Sequence, residues 1–259
     1  ALWTMLFSIL TIVIFSQLYN NETSGNFPEK EGVPEESYWV DSVFSALTAD
    51  ERIAQLFMVA AYSNRSMEES KEVTELVEKY NIGGIIFFQG GPLAQARMAN
   101  AWQAMAKTPL LIGIDGEWGL GMRLKDSTIS YPKQMTLGAI QKDSLIYEMG
   151  ADMGRQCRRI GVQMNFAPVV DVNCNPRNPV INYRSFGEVR DNVARKGIAY
   201  MRGMQDQGIL TSAKHFPGHG DTDQDSHLTL PVIHHSRALL DSVDLFPFRA
   251  LISAGLDAV

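Results

Sequence analysis

The chain has little cysteine and no surplus of positive charge, and both deficits exclude classes of protein. Its 259 residues include two cysteines, Cys157 and Cys174, which are too few for a scaffold held together by disulfides. We interpret both as ordinary buried thiols. The formal net charge of -6 offers no basic field to phosphates, and no cluster of Lys and Arg is interleaved with aromatic residues. We therefore expect no nucleic-acid partner.

The amino terminus lacks charge altogether. Residues 1–18 are dominated by Leu, Ile, Phe and Val, which is typical of a signal-peptide core or a short membrane anchor. A buried core helix is the alternative, although the polar linker over 20–36 argues against it. A starting methionine with a basic leader is missing, as is a clear small-x-small cleavage site, so cleaved signal and retained anchor both stay open. We expect export to the periplasm or cell envelope, with possible membrane attachment through this segment.

The rest of the chain alternates between strand and helix patterns. Apolar runs predict strands at the end of 53–62 and over 82–88, 110–114, 162–170 and 209–213. Amphipathic stretches between them predict helices over 67–80, 93–106, 142–160 and 189–207, and a further helix over 237–254 precedes the start of a sixth strand at 255–259. This alternation indicates parallel strands with crossover helices, as in a (β/α)8 barrel or an open doubly wound sheet.

The placement of polar residues favours the barrel. Asp115, Asp171 and the pair Lys214-His215 each follow an apolar strand candidate directly, and barrels gather their active sites from the carboxyl ends of several strands. No G-x-G-x-x-G follows the first strand, as a doubly wound nucleotide-binding sheet would usually require. About five to six βα units are present, so we predict an α/β fold of the (β/α)8 TIM-barrel type, incomplete at the carboxy terminus. The predicted domains are 1–19 (signal or anchor), 20–45 (linker and lead-in) and 46–259 (partial barrel).

The most informative stretch is the loop KHFPGHGDTDQDSHLTLP, which begins at Lys214. Pro217 and its neighbouring glycines keep this stretch out of regular structure, and it concentrates groups that transfer protons. Asp225 and His227 stand two residues apart, so the carboxylate can orient the imidazole and raise its basicity. Two alternatives are a metal site built from the loop's histidines and aspartates, and a merely solvated polar loop. The proline and glycine after His215 rule out a helical His-x-x-x-His zinc motif.

This loop resembles the signature of glycoside hydrolase family 3, and within it the β-N-acetylglucosaminidase branch. The segments LIGIDGEWGLGMR, which contains Asp115 and Arg123, and NYRSFGE, which contains Arg184, resemble two further motifs of that family in the same order. The resemblance runs from about residue 46 to residue 259. It implies the barrel fold, a carbohydrate substrate, no cofactor and no metal.

The resemblance also implies roles for individual residues. His227 would be the acid/base and Asp225 its orienting carboxylate, while the implied substrate-binding residues are Asp115, Arg123, Arg184, Lys214 and His215. The family's nucleophilic aspartate sits on a later strand, so we expect it beyond Val259, in a missing carboxy-terminal part of the barrel. Structural alternatives are an ion pair of Arg184 with Glu188, four residues on, and a helix-capping role for Asp115.

Substrate detail is less determined. Trp118 stands where the family more often has glycine, and it could stack on a sugar face or fill core volume. The leading hypothesis is an exported retaining β-N-acetylhexosaminidase that removes terminal β-linked N-acetylglucosamine. A β-glucosidase of the same family and a non-catalytic sugar-binding fragment are the alternatives. Family β-glucosidases generally lack the Asp-x-His loop, which argues against the first of these.

Overall fold

The computed structural model of the chain describes residues 34–222, 232–233 and 235–259. The apolar segment at 1–18 and the predicted catalytic pair Asp225 and His227 lie outside the described residues. Their roles therefore stay predictions. In the part of the chain that the structure does describe, no helix has the length and hydropathy of a membrane span.

Five parallel strands form the sheet, and their order in space is their order in sequence. They are β1 (Met58–Tyr62), β2 (Gly84–Gln89), β3 (Leu111–Ile114), β4 (Met164–Asn165) and β5 (Leu210–Thr211). A parallel bridge between Ser212 and Ala258 starts the next position beside β5, where the sequence predicted a sixth strand. Because the order never reverses, the sheet has no switch point and forms part of a barrel wall. The barrel prediction is confirmed, and the doubly wound alternative is wrong.

Helices precede β1, connect the strands and follow β5, and those over 92–105, 143–159 and 190–205 lie within two residues of the predicted bounds. They are α1 (Pro34–Ala46), α2 (Ala49–Ala54), α3 (Lys71–Glu75) with a π-helical continuation over Leu76–Tyr80, α4 (Pro92–Met105), α5 (Gln134–Gly138), α6 (Asp143–Arg159), α7 (Arg190–Gln205), α8 (Arg237–Leu239) with a π-helical continuation over Leu240–Asp244, and α9 (Leu245–Ser253). The first of them lies, except for its last residue, in the stretch 20–45 predicted as linker and lead-in.

The fourth strand is much shorter than the sequence predicted. The apolar run at 162–170 yields only two residues of regular strand, because Pro168 has no N–H to donate to the ladder. Pairing with the chain after β5 resumes beyond the proline: Lys214 N donates to Pro168 O (3.1 Å) and Val170 N to Lys214 O (2.8 Å). This second pairing brings Asp171 and Lys214 to the same edge of the sheet.

The two thiols differ in environment. Cys157 lies on the buried face of α6, as predicted, and burial raises the pKa of its thiol to about 12. Cys174 is exposed, so its interpretation as a buried thiol is wrong. It follows the segment that leaves the sheet after Val170, and such connecting segments run over the protein surface.

The closest helix pair is α6 against α7, and glycines permit the approach. A Cβ added at Gly150 would overlap the carbonyl oxygen of Tyr200, and one added at Gly203 would overlap that of Tyr147. Buried residues of both helices fill the space between them and the sheet, including Ile146, Met149, Met153, Val193, Tyr200 and Met204.

We expect Gly203→Ala to destabilise the protein. Alanine is the better helix former, but its methyl group would push the two helix backbones apart, at a cost of about 1–3 kcal/mol in the free energy of unfolding. Urea denaturation followed by circular dichroism measures the change. Arg202→Ala, an exposed substitution on the same helix, is the matched control and should stay within about 0.5 kcal/mol. A Gly203→Ala protein as stable as that control would contradict the close approach.

Candidate active site

Asp115 begins the site at the carboxyl end of β3. Its carboxylate lies between two cations: Arg123 Nη2 is 2.5 Å from Oδ2, and Lys214 Nζ contacts Oδ1. Arg123 also donates through Nε to the Asp115 carbonyl (2.9 Å), which fixes the guanidinium in place. The carboxylate thus serves as an ion-pair partner and does not cap a helix. It keeps 15% of its side-chain surface exposed, so a ligand can still reach it.

Glu117, two residues further on, is fully buried and sits between two cations of its own. Arg184 donates to it through Nε (2.9 Å) and Nη2 (2.5 Å), and Lys214 Nζ lies 2.9 Å from Oε1. Burial alone would raise the pKa of Glu117, but the charges and hydrogen bonds of Lys214 and Arg184 outweigh it and hold that pKa well below its ordinary value. The predicted alternative partner of Arg184, Glu188, is wrong, because the guanidinium forms its ion pair with Glu117.

His215 is held by a second buried carboxylate. Its Nδ1 lies 2.7 Å from Asp171 Oδ2, and its Nε2 lies 3.1 Å from Arg184 Nη2. A guanidinium can only donate, so Nε2 accepts and the proton is on Nδ1, facing Asp171. Burial raises the pKa of Asp171, but the His215 contact and the N–H groups of His215 and His219 bring it below its ordinary value. With both nitrogens engaged, His215 is not a free metal ligand.

The described part of the loop is fastened to the segment that follows β4. His219 N donates to Asp171 Oδ1 (2.7 Å), and Asn178 donates through its side-chain amide to His219 O (2.6 Å). An added Cβ at Gly220 would overlap the Val172 carbonyl, so only glycine fits there. Among the described residues no group of three or more His, Cys, Asp or Glu side chains is arranged to hold a metal ion.

A cavity of about 500 Å³ opens beside Arg123, a size typical of small-molecule sites. Its walls come from the ends of β1 and β2 and from the turn after β3, and they include Asn64, Phe88, Gly90, Met122, Arg123 and Lys125. Arg123 therefore both pairs with Asp115 and lines this cavity.

The structure gathers all five predicted binding residues into one connected cluster. Sequence reasoning missed Glu117 as a member, and it noted Asp171 at a strand end without assigning it to the site. The available signal was position: Glu117 lies three residues after the end of β3, and an acidic residue there needs a partner once it is buried. Trp118 is only partly buried, and Lys133 Nζ lies 2.8 Å from the centre of its ring. It therefore does not simply fill the core, while stacking on a sugar stays a prediction.

Comparisons with known proteins identify the family of the chain. Residues 48–259 match the family model described as the glycosyl hydrolase family 3 N terminal domain. The chain belongs to this family.

Three relatives show the extent of the similarity. The chain is 38% identical over 195 residues to a beta-hexosaminidase A of Pseudoalteromonas piscicida, covering 71% of this chain and 33% of the relative. It is 31% identical to a beta-N-acetylglucosaminidase/beta-glucosidase of Cellulomonas fimi, covering 85% of this chain and 38% of the relative. A solved family 3 beta-N-acetylglucosaminidase from Paenibacillus sp. str. FPU-7 superposes with a TM-score of 0.77 at 41% identity, covering 83% of this chain and 41% of that one. The chain thus spans less than half the length of these three proteins.

We expect Glu117→Gln to cost stability in a pH-dependent way. At pH 7 the neutral amide leaves Lys214 and Arg184 without their shared buried anion, which should lower the free energy of unfolding by about 3–5 kcal/mol. Because the folded pKa of Glu117 lies below its ordinary 4.5, the ionic stabilisation is full above that pH and is lost as the pH falls through the folded value. The difference in the free energy of unfolding between wild type and variant should therefore become smaller in acid, as measured by denaturant unfolding from pH 7 to pH 3.

Glu148→Gln, an exposed change on α6, is the control and should stay within about 0.5 kcal/mol of wild type at every pH. A Glu117→Gln protein as stable as this control at neutral pH would show that the buried network does not hold the site together.

Proposed function

We propose that this chain is the amino-terminal part of the catalytic barrel of an exported retaining β-N-acetylhexosaminidase, which hydrolyses terminal β-linked N-acetylglucosamine. The observation that carries the proposal is the cluster of Asp115, Glu117, Arg184, Lys214 and His215 at the carboxyl ends of the strands, in a chain of this family. The names of the relatives from Pseudoalteromonas and Paenibacillus support the choice of amino-sugar substrate.

The cluster has the chemistry to hold a sugar. Asp115 can accept hydrogen bonds from hydroxyl groups, and Arg123 and Lys214 can donate to hydroxyl or N-acetyl oxygens. All three side chains keep some exposed surface, between 15% and 23%, whereas Glu117 and Asp171 have none. The exposed charges would therefore meet the ligand, and the buried ones would hold them in position.

His227, oriented by Asp225, is the proposed general acid/base. Cleavage of a glycosidic bond needs a proton for the departing oxygen, and histidine can supply it near neutral pH. His215 is badly placed to do so, because its Nε2 accepts from Arg184 and its proton faces Asp171. This geometry supports a binding role for His215 and a separate histidine as the proton donor.

A retaining mechanism also needs a nucleophilic carboxylate on the opposite face of the sugar ring. Asp115 and Glu117 are paired with cations, and Asp171 is paired with a histidine and two backbone N–H groups. We propose that the nucleophile lies outside this chain, as the family resemblance implies. Export is proposed from the uncharged segment at residues 1–18.

The substrate prediction is tested by purifying the full-length gene product and comparing p-nitrophenyl β-N-acetylglucosaminide with the matching β-glucoside. We expect kcat/KM to favour the N-acetylglucosaminide at least about tenfold, because the site's polar groups would lose partners when the N-acetyl group is absent. Proton NMR of the first product should show the β-anomer. A preference for the glucoside would favour the β-glucosidase alternative, which the name of the Cellulomonas relative includes. Sugar binding without turnover would favour the non-catalytic alternative.

The acid/base assignment is tested by leaving-group dependence. His227→Ala should slow hydrolysis of an N-acetylglucosaminide with a poor leaving group by about 10²- to 10⁴-fold, and of one with an activated phenol by much less, because only the former needs protonation. Asp225→Asn should show the same selectivity to a smaller degree. Thr229→Ala, in the same stretch of sequence, is the control and should leave both rates near wild type. Equal losses on both substrates would remove His227 from the acid role.

A further inference from the structure

A second histidine of the same region lies between two carboxylates. His235 Nε2 is 2.7 Å from Asp221 Oδ2, and His235 Nδ1 is 2.6 Å from Asp244 Oδ2. Only 11% of the His235 side chain and 2% of the Asp244 side chain are exposed. We call these three residues the His235 clamp. None of them belongs to the cluster around Asp115 and Glu117.

Two residues of the clamp flank, in sequence, the stretch that contains the proposed acid/base pair. Asp221 stands just before Thr222, where the described part of the loop ends, and His235 stands just before α8. The stretch between them contains Asp225 and His227. The clamp therefore joins the departing and returning ends of that stretch to each other and to Asp244, at the start of α9.

Asp244 is itself fixed against the loop. An added Cβ at Gly218 would lie 2.7 Å from the Asp244 Cβ, and Gly218 has a φ of +138°, a conformation that favours glycine. The ring of Phe216 meets that of Phe248 edge to face, with centroids 5.4 Å apart. The loop thus packs on α9 through apolar contacts as well as through the clamp. The Asp244 end of the clamp is therefore packed against the loop.

The two contacts of His235 require a bound proton. Both carboxylates can accept, so both ring nitrogens carry hydrogen if the carboxylates are ionised. Burial alone would lower the pKa of His235, but the contacts with Asp244 and Asp221 raise it above its ordinary value. For Asp244, burial raises the pKa above its ordinary value. Cys174, a further titratable group that interacts with Asp221 and Asp244, adds no positive charge.

We propose that His235 is a positioning residue that fastens the chain at Asp221 and the chain before α8 to Asp244 at the start of α9, and that this fastening supports the acid/base step proposed for Asp225 and His227. The catalytic consequence rests on the function proposed above, whereas the fastening itself does not. The clamp works by orienting other groups and does not touch the substrate.

Hydrogen exchange tests the fastening without reference to activity. In the full-length gene product, His235→Ala should raise amide exchange about tenfold or more in the peptides around Gly218–Thr222 and Val243–Phe248, because each lost hydrogen bond had a charged partner. Arg249→Ala, which removes an exposed ion pair between α9 and Asp241, is the matched control and should leave exchange around Gly218–Thr222 unchanged. Exchange in His235→Ala that matches the control would overturn the proposal.

Kinetics test the positioning role. His235→Ala should lower kcat on an N-acetylglucosaminide with a poor leaving group by about 10- to 100-fold, with a smaller loss on an activated phenol and little change in KM. His235→Gln, which keeps one donor, should recover part of the rate. Asp221→Ala should have a similar effect, and the double variant should be no worse than either single change.

The outcomes separate the two proposals. If the wild-type protein hydrolyses no N-acetylglucosaminide, the proposed function fails, and the exchange result still decides whether the clamp exists. If the wild type is active and His235→Ala slows both leaving groups equally, or slows neither, the positioning role is overturned.

Discussion

The buried carboxylate of Glu117 is the constraint on which the site depends. A charge without solvent is tolerable only when opposite charges and hydrogen bonds surround it, and here they come from Lys214 and Arg184. The three residues reach this point from different parts of the sheet: one follows β3, one lies in the excursion after β4, and one follows β5. Meeting the electrostatic requirement of Glu117 therefore fixes the relative positions of three strand ends, and with them the groups that face a ligand.

Lys214 links the buried and exposed parts of this network. Its ammonium contacts both Glu117 and Asp115. The partly exposed carboxylate of Asp115 is therefore held in place through the buried carboxylate of Glu117. Its backbone also pairs with the chain beyond Pro168, which brings Asp171 beside it. Asp171 in turn accepts from the backbone of His215 and His219 and so determines where the loop starts. The residues that hold the loop and the residues of the sugar-binding cluster thus belong to one hydrogen-bonded network.

Periodicity was enough to predict parallel strands with crossover helices, because these depend on local patterns; α6, for example, was predicted within one residue at each end. The choice of a barrel came from the polar residues at the strand ends, the missing glycine motif and the family resemblance. The short β4 was not predicted, since a single proline outweighs an apolar run. The five predicted binding residues came from strand ends and motif resemblance, and their proximity in space followed from the topology of the sheet. Their ion-pair partners could not be predicted in the same way. Helical spacing suggested Glu188 as the partner of Arg184, whereas the observed partner, Glu117, is 67 positions away in sequence. The exposure of Cys174 and the His235 clamp likewise depend on tertiary contacts that no local pattern encodes.

The histidines of this region show how the surroundings set the use of one side chain. His215 accepts from Arg184, so its single proton is turned toward Asp171 and away from any ligand. His235 faces carboxylates on both sides, and these retain its proton instead of releasing it to a substrate. His219 is buried, with Nδ1 against Thr222. The Nε2 atom of His219 has no hydrogen-bond partner in the described ranges of the chain, but it is buried away from any ligand. None of these three rings therefore presents a proton to a leaving group. The proposed chemistry therefore calls for a further histidine. Of the remaining two, His227 and His234, only His227 has a carboxylate, Asp225, two residues away in sequence.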